Sequence, residues 1–332
     1  MKILVTGGMG YIGSNTVVEL LKNNYEVVII DNLVNSNIEV LEKIKNITKK
    51  EVKFYEEDLR NKEKLTEIFQ REKIDFVIHF AGLKAVGESV AKPLLYYDNN
   101  LISTLVLLEV MKEENVKNIV FSSSATVYGD PKYLPIDENH PLSTTNPYGT
   151  TKLFIEQILE DVYKADNDMN IVILRYFNPV GSDKMHLLGE NPNRIPNNLV
   201  PYIVKVATKK LESLNVFGND YDTVDGSGVR DYIHVIDLAI GHVKAIEYMK
   251  NNKGILKVNL GTGKGNSVLE LIEKFEKVNK VKIPYKIVER RKGDIATCYA
   301  DTKKAKELLD FTTTYNIEDM LQDAYLAELN NK

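Results

Sequence analysis

The stretch Lys2-Ile3-Leu4-Val5-Thr6-Gly7-Gly8-Met9-Gly10-Tyr11-Ile12-Gly13 decides the fold. Ile3-Leu4-Val5 reads as a buried parallel strand, and the glycines open a helix running to about Leu21. Gly8, Gly10 and Gly13 fit G-x-G-x-x-G, while Gly7, Gly10 and Gly13 fit the looser G-x-x-G-x-x-G. Glycine belongs where backbone must approach a pyrophosphate whose charge rests on a helix N-terminus. A tight strand-to-helix turn also wants glycine, so the context has to decide. The next strand, Glu26-Val27-Val28-Ile29-Ile30, ends on Asp31, 18 positions after Gly13. An acid there accepts hydrogen bonds from an adenosine ribose and repels a 2′-phosphate, which favours NAD over NADP.

Outward from this unit the rhythm repeats. Val52–Tyr55 runs to Asp58-Leu59 and a helix near Lys62–Arg71, and Asp75–Phe80 runs into Ala81-Gly82. A single long helix is predicted over about Pro93–Lys112, then a strand Asn118–Phe121 running into Ser122-Ser123-Ser124. Another strand, Asn170–Leu174, runs into Arg175-Tyr176-Phe177-Asn178. Alternating strands and helices specify an α/β fold, a Rossmann-like doubly wound parallel sheet. Ligands bind such sheets outside the carboxyl ends of the strands, so Gly7–Gly13, Asp31, Asp58, Phe80–Gly82, Ser122–Ser124 and Tyr176–Asn178 should face one crevice.

The stretch Asn146-Pro147-Tyr148-Gly149-Thr150-Thr151-Lys152 adds chemistry to that crevice. Asn146 suits an N-cap and Pro147 the first helical position. Tyr148 and Lys152 are four apart, so both side chains leave one face of the helix. A phenol beside an ammonium can be made into a base, because a fixed cation favours the phenolate. Alone, Tyr-x-x-x-Lys also describes a half-buried aromatic beside a solvated lysine. Its position on the predicted rim, beside the serine run, favours the chemical reading.

After Asn178 the rhythm changes. Gly181–Pro201 reads as irregular, with no strand until Leu214–Phe217. Asp225–Asp231 is a polar turn carrying Arg230, and the Arg290-Arg291 pair follows Pro284–Val288. Arginines on either side of a cleft suit a diphosphate, although surface ion pairs would account for each one separately. The domains expected are 1–180 with a return at about 231–262, and a smaller C-terminal α/β substrate domain from 181–230 and 263–332.

Composition excludes several classes. The 43 basic and 47 acidic residues are mixed along 332 positions, with no basic stripe for nucleic acid. Leu101–Met111 is too short to span a membrane, and the chain enters its first strand too soon for a signal peptide. The single cysteine, Cys298, excludes an internal disulfide framework and fits a reducing, cytoplasmic compartment. The five histidines show no metal-ligand spacing, so no metal is expected, and His79 reads as a satisfied core histidine.

Taken together, Thr6–Gly13, Asp31-Asn32, His79–Gly82, Ser122–Gly129, Tyr148–Lys152, Arg175–Gly181, Val229–His234 and Arg290–Asp301 make the chain resemble the extended short-chain dehydrogenase/reductase family. Within it the likeness is to the branch that epimerises UDP-hexoses at C4, a homodimeric group, and it covers essentially the full length. The resemblance implies Tyr148 as the base, Lys152 as its partner and ribose ligand, and Ser124 as a bridge to the 4-oxygen. It implies NAD contacts from Gly7, Gly10, Tyr11, Ile12, Gly13, Asp31, Asn32, Asn35, Ser36, Asp58, Leu59, Phe80, Ala81, Lys84, Asn99, Tyr148, Lys152 and Phe177. Substrate contacts fall on Ser124, Asn178, Asn198, Leu199, Phe217, Arg230, Arg291, Asp294 and Cys298. Related dehydratases carry an Asp-Glu pair where this chain has Ala125-Thr126, and that absence favours epimerisation over dehydration or decarboxylation. A non-catalytic NAD-binding regulatory protein would tend to lose the Tyr/Lys pair. Cys298, between Arg291-Lys292-Gly293-Asp294 and Tyr299-Ala300-Asp301, matches a pocket-wall site, and a small residue there leaves room for a 2-N-acetyl group. The plain alternative is a small buried hydrophobe.

Overall fold

A computed structural model describes residues 1–191, 196–291 and 294–331. Its main sheet has seven parallel strands in the order β10-β6-β5-β4-β1-β2-β3. These are β1 (Lys2–Thr6), β2 (Glu26–Asp31), β3 (Lys53–Glu56), β4 (Phe76–His79), β5 (Asn118–Ser124), β6 (Asn170–Tyr176) and β10 (Gly254–Leu260). The chain enters at the centre, winds outward to β3, then returns past β1 to β4, β5 and β6. A crevice forms where the winding reverses, between β1 and β4.

Both faces of the sheet are covered, and the alternation of side chains shows how. Ile3, Val5, Val27, Ile29, Ile78, Val120 and Val172 pack on one face against Val17, Val18 and Leu21 of helix Tyr11–Lys22 and Leu238, Val243 and Ile246 of helix Val235–Asn251. Their neighbours Leu4, Val28, Ile30, Val77, Ile119, Phe121 and Ile171 face the other way. There they meet Leu65 and Phe69 of helix Lys62–Glu72, Leu107 and Met111 of helix Ser103–Glu113, and Ile155 and Leu159 of helix Pro147–Ala165.

Helix Pro147–Ala165 begins as its sequence requires. Pro147 occupies the first turn and Asn146 Oδ1 accepts a hydrogen bond from Gly149 N at 2.9 Å. Such a cap contributes about 1 kcal/mol and fixes the turn that carries Tyr148.

Several expectations are corrected. The single helix over Pro93–Lys112 is instead helix Pro93–Tyr97, a π-helical turn Asp98–Ile102, and helix Ser103–Glu113. The wider turn is held from outside the segment: Asn100 Oδ1 accepts from Leu83 N at 2.8 Å, and its Nδ2 donates to Leu83 O and Thr151 Oγ1, each at 3.0 Å. A further helix, Val86–Ala91, was not read. The serine run lies inside β5 rather than beyond it.

Past Asn178 the chain is less irregular than its composition suggests. Helix Leu199–Ala207 begins inside Gly181–Pro201, the stretch read as irregular, of which residues 192–195 fall outside those described. A second sheet joins β7 (Asn178–Val180), β9 (Val229–His234), β11 (Gly265–Ser267) and β13 (Thr297–Cys298), and β8 (Leu214–Phe217) pairs in parallel with β12 (Tyr285–Val288). Helices Leu199–Ala207, Val268–Asn279 and Ile317–Asn330 enclose a separate core of Val204, Val216, Leu271, Phe275 and Leu321.

Candidate active site

The carboxyl ends of β1, β2, β4, β5 and β6 open on a cavity of about 710 Å³. Every residue expected to contact the dinucleotide lines it except Phe177. Phe177 is buried instead among Val127, Tyr128, Ile136 and Cys298.

The glycine turn fits a pyrophosphate for reasons visible atom by atom. Gly7 has φ +68°, and a Cβ there would lie 2.8 Å from Ala81 N. A Cβ on Gly13 would come within 2.3 Å of Gly7 O, so glycine alone lets the helix start press against the turn. Gly10 differs: its Cβ would meet only Gly7 O, at 3.4 Å, and would otherwise project into open space. A side chain at Gly10 would therefore take up ligand volume in front of the first N–H groups of the helix. Asp31 Oδ2 accepts from Met9 N at 3.0 Å, and Oδ1 accepts from Leu33 N and Ser36 Oγ at 2.9 Å. By lone-pair count Oδ2 keeps capacity for one more donor, and the fixed negative charge opposes a 2′-phosphate. Asp58 is held by Arg60 and by Asn32 Nδ2 at 3.1 Å, and the Arg60 hydrogen bond puts its carboxyl far below the usual range.

Tyr148 and Lys152 line the same cavity. Lys152 is 5% exposed and its Nζ donates to Ser122 O at 2.7 Å. Nζ lies 4.9 Å from the Phe121 ring centroid and 6.0 Å from that of Tyr148. Burial pushes the Lys152 ammonium down to about 8, opposed by Glu156 one turn along the helix. Burial raises the Tyr148 phenol, while the Ser124 hydroxyl and the Lys84 charge pull it down. In the chain alone the cation acting on Tyr148 is Lys84, and desolvation outweighs it. Ser124 ends β5 and caps the 3-10 turn Ala125–Tyr128, its Oγ accepting from Thr126 N at 3.2 Å.

Sequence reasoning missed Glu190. Its Oε1 takes Lys84 Nζ at 2.9 Å and Asn198 Nδ2 at 3.1 Å, so one carboxylate joins a dinucleotide-side residue to a substrate-side one. No periodicity marks a loop carboxylate of this kind. His79 is 1% exposed and satisfied, Nδ1 with Thr6 Oγ1 at 2.8 Å and Nε2 with Thr104 Oγ1 at 3.0 Å.

The expected substrate residues beyond Ser124 fall in three groups. Asn198 lines the cavity and Leu199 starts the helix beside it. Asn178, Arg230 and Cys298 lie on adjoining strands, since Asn178 is paired with Tyr232 and Cys298 with Arg230. Arg291 stacks on Phe217, its guanidinium carbon 4.6 Å from the ring centroid, and its Nε donates to Asp294 Oδ2 at 2.9 Å. Lys292 and Gly293, the flank used to match Cys298, fall outside the described residues. Arg290 is committed elsewhere, to Asp220 at 2.7 Å and to the Tyr221 ring. Cys298 is 7% exposed and packs with Val127, Phe177 and Ala300, and burial pushes its thiol up to about 11.

A dinucleotide cradle, a Ser/Tyr/Lys group on the rim of a parallel sheet and an arginine cluster define a short-chain dehydrogenase/reductase-type enzyme of nucleotide sugars. Comparison with known proteins narrows the class. The family model described as GDP-mannose 4,6 dehydratase matches residues 4–324. UDP-glucose 4-epimerase of Bacillus subtilis (strain 168) is 56% identical over 331 residues, spanning 100% of this chain and 98% of that protein. The crystal structure of UDP-glucose 4-epimerase from Bifidobacterium longum in complex with NAD+ and UDP superimposes with a TM-score of 0.97 at 55% identity, covering 100% of this chain and 99% of that one. The UDP-Glc/GlcNAc 4-epimerase from Campylobacter jejuni gives 0.87 at 36% identity, with 99% of each chain covered. The chain belongs to the UDP-glucose 4-epimerase family.

Proposed function

We propose that this chain inverts C4 of UDP-hexoses, interconverting UDP-glucose and UDP-galactose with tightly held NAD. The observation that carries this reading is that Tyr148 and Lys152 line the cavity that also holds the glycine cradle and Asp31, with the Ser124 hydroxyl against Tyr148. NAD, when bound, supplies a positively charged ring and a hydride acceptor that gives the hydride back in the same turnover. The chain's own residues do the rest. Tyr148 Oη takes the proton of the 4-hydroxyl, and Ser124 donates a hydrogen bond to the oxygen whose charge is changing. Lys152, buried and tied to Ser122 O, keeps an ammonium beside the phenol and is the residue that would hold a nicotinamide ribose. The other face of the 4-ketone then receives the hydride, and Tyr148 returns the proton.

Inversion requires the sugar to turn while its handle stays fixed. In this reading Asn178, Asn198, Leu199, Phe217, Arg230, Arg291 and Asp294 hold the UDP. Residues 1–180 with 231–262 form the NAD half, and 181–230 with 263–332 form the UDP-sugar half. Galactose metabolism and sugar-nucleotide supply are the processes served.

One dehydratase reading draws on the description of the matching family model. Loss of water across C5 and C6 needs an acid and a base near those carbons, and positions 125 and 126 carry alanine and threonine. Purified protein given UDP-galactose without added NAD should form UDP-glucose. A stable 4-keto-6-deoxy product would support the dehydratase, and inert protein a binding module.

Cys298 extends the reading to UDP-N-acetylglucosamine and UDP-N-acetylgalactosamine, because its small side chain packs beside Phe177 and Ala125, the neighbour of Ser124 in sequence. Cys298→Tyr should abolish turnover of the N-acetylated sugars and spare UDP-galactose; unchanged N-acetyl activity would sink the idea. A homodimer fits the exposed apolar side chains of Leu94 (81%), Leu105 (44%) and Phe154 (46%) on helices Pro93–Tyr97, Ser103–Glu113 and Pro147–Ala165. Light scattering after size exclusion should give twice the chain mass. None of the described helices is long and apolar enough to cross a membrane.

A further inference from the structure

Ser124 has one proton and two lone pairs to place. Thr126 N–H donates to Ser124 Oγ at 3.2 Å, and the Thr126 hydroxyl donates to the same atom at 3.0 Å. Both lone pairs are then filled, so only the Ser124 proton is left for a partner. Tyr148 is the group that gains from it, since the Ser124 hydroxyl favours its phenolate.

The other side of Thr126 meets the helix that carries Tyr148. A Cβ on Gly149 would lie 3.1 Å from Thr126 O, 3.3 Å from its Cβ and 3.4 Å from its Oγ1. Glycine at that position lets the first turn of the helix close down on Thr126. The threonine is therefore clamped between the strand end bearing Ser124 and the turn bearing Tyr148.

We propose that Thr126 is a positioning residue: by filling both lone pairs of Ser124 it makes that hydroxyl a fixed hydrogen-bond donor to the reacting oxygens rather than a proton relay. The inference rests on the epimerase reading for its substrate. The proton of the sugar 4-hydroxyl then passes directly to Tyr148 Oη as the C4 hydrogen leaves as hydride to NAD+ and the C4–O double bond forms. Ser124 keeps its own proton throughout, and no further reactant is needed. A relay would need Ser124 to accept from the sugar, and Thr126 occupies the lone pairs that would accept.

The groups facing Tyr148 are Lys84 from the loop after β4, Lys152 on its own helix, Tyr96 from helix Pro93–Tyr97 and Tyr176 at the end of β6. Substitution at Thr126 changes none of them. Thr126→Val removes the hydroxyl at nearly constant shape, and Thr126→Ser keeps it. Two readouts are taken on the full-length protein: kcat and KM for UDP-galactose across pH, and the ultraviolet titration of Tyr148, isolated by difference against Tyr148→Phe. Thr126→Val should lower kcat about tenfold, the worth of one hydrogen bond, with KM within about twofold, and should move the Tyr148 midpoint upward. Thr126→Ser should restore both. The proposal is overturned if Thr126→Val leaves kcat and the midpoint in place, or if Thr126→Ser is as impaired as Thr126→Val. Should Thr126→Val not fold, a Thr126→Ser variant impaired tenfold overturns it and one matching the parent supports it. A parent chain inert toward UDP-galactose would refute the epimerase reading, while the tyrosine titration would still judge Thr126.

Discussion

The Ser124/Tyr148/Lys152 group and the Arg230/Arg291 cluster are built in opposite ways. The first stands on the main sheet: Lys152 is 5% exposed, and its Nζ is fixed on a backbone carbonyl. The second hangs on short strands and loops, with the Arg291 side chain 52% exposed and held by Asp294 and the Phe217 face. Proton and hydride transfer tolerate little displacement, so the reacting groups belong on rigid, desolvated elements. A diphosphate is a large, twofold-charged handle, and solvated guanidinium groups that can adjust serve it well. The division implies that damage to the first region appears in kcat and damage to the second in KM.

The strongest attempt to break that division is Tyr148→Phe. Removing a positioned base costs about 10²–10⁴ in rate, so kcat should fall at least about a hundredfold with NAD still bound by absorbance. Full retained activity would remove the base from this account.

Acid sharpens the contrast next. His79 at the end of β4 and His242 behind Tyr176 are buried, and desolvation pushes them down to about 3 and about 4 from an ordinary 6.5. Between those values the unfolded chain binds the protons and the folded chain does not, so stability is present above the unfolded value and falls as pH drops through 6.5. For two such groups the loss from pH 7 to pH 5 is about 3–4 kcal/mol, measurable by urea unfolding at each pH. A flat stability across that range would mean that the floor of the catalytic half is wetter than its packing indicates.

Smaller effects belong to the arginines. Arg230→Ala should raise KM for UDP-galactose by about 10- to 100-fold, the worth of a charge-assisted contact, and leave kcat within a few-fold. Arg291→Ala, more exposed and already paired, should raise KM by less, about three- to tenfold. A fall in kcat with KM unchanged at either position would erase the distinction between the regions.

The legible parts of this chain were those with local causes. Ile3–Val5, the spacing of Gly7, Gly10 and Gly13, Asp31 at a strand end and the Asn146-Pro147 cap all act within a few residues, and the structure places them where their chemistry requires. What escaped depends on distant partners. The π turn at Asp98–Ile102 is held through Asn100 by Leu83 and Thr151. Strands as short as Asn178–Val180 and Thr297–Cys298 exist because β9 pairs with them. The proton affinity of Tyr148 follows from depth and from Lys84, neither visible in a Tyr-x-x-x-Lys spacing. Thr126 entered the reading only as a missing carboxylate, and its hydroxyl acquires a role through the Ser124 geometry.

The central claim is that hydrogen leaves C4 of the sugar and returns to the other face of the same carbon without meeting solvent. UDP-galactose deuterated at C4 tests it directly, with the product examined by mass spectrometry and proton NMR in ordinary water. The account predicts UDP-glucose carrying its deuterium at C4. Label lost to water, or moved to another carbon, would contradict it.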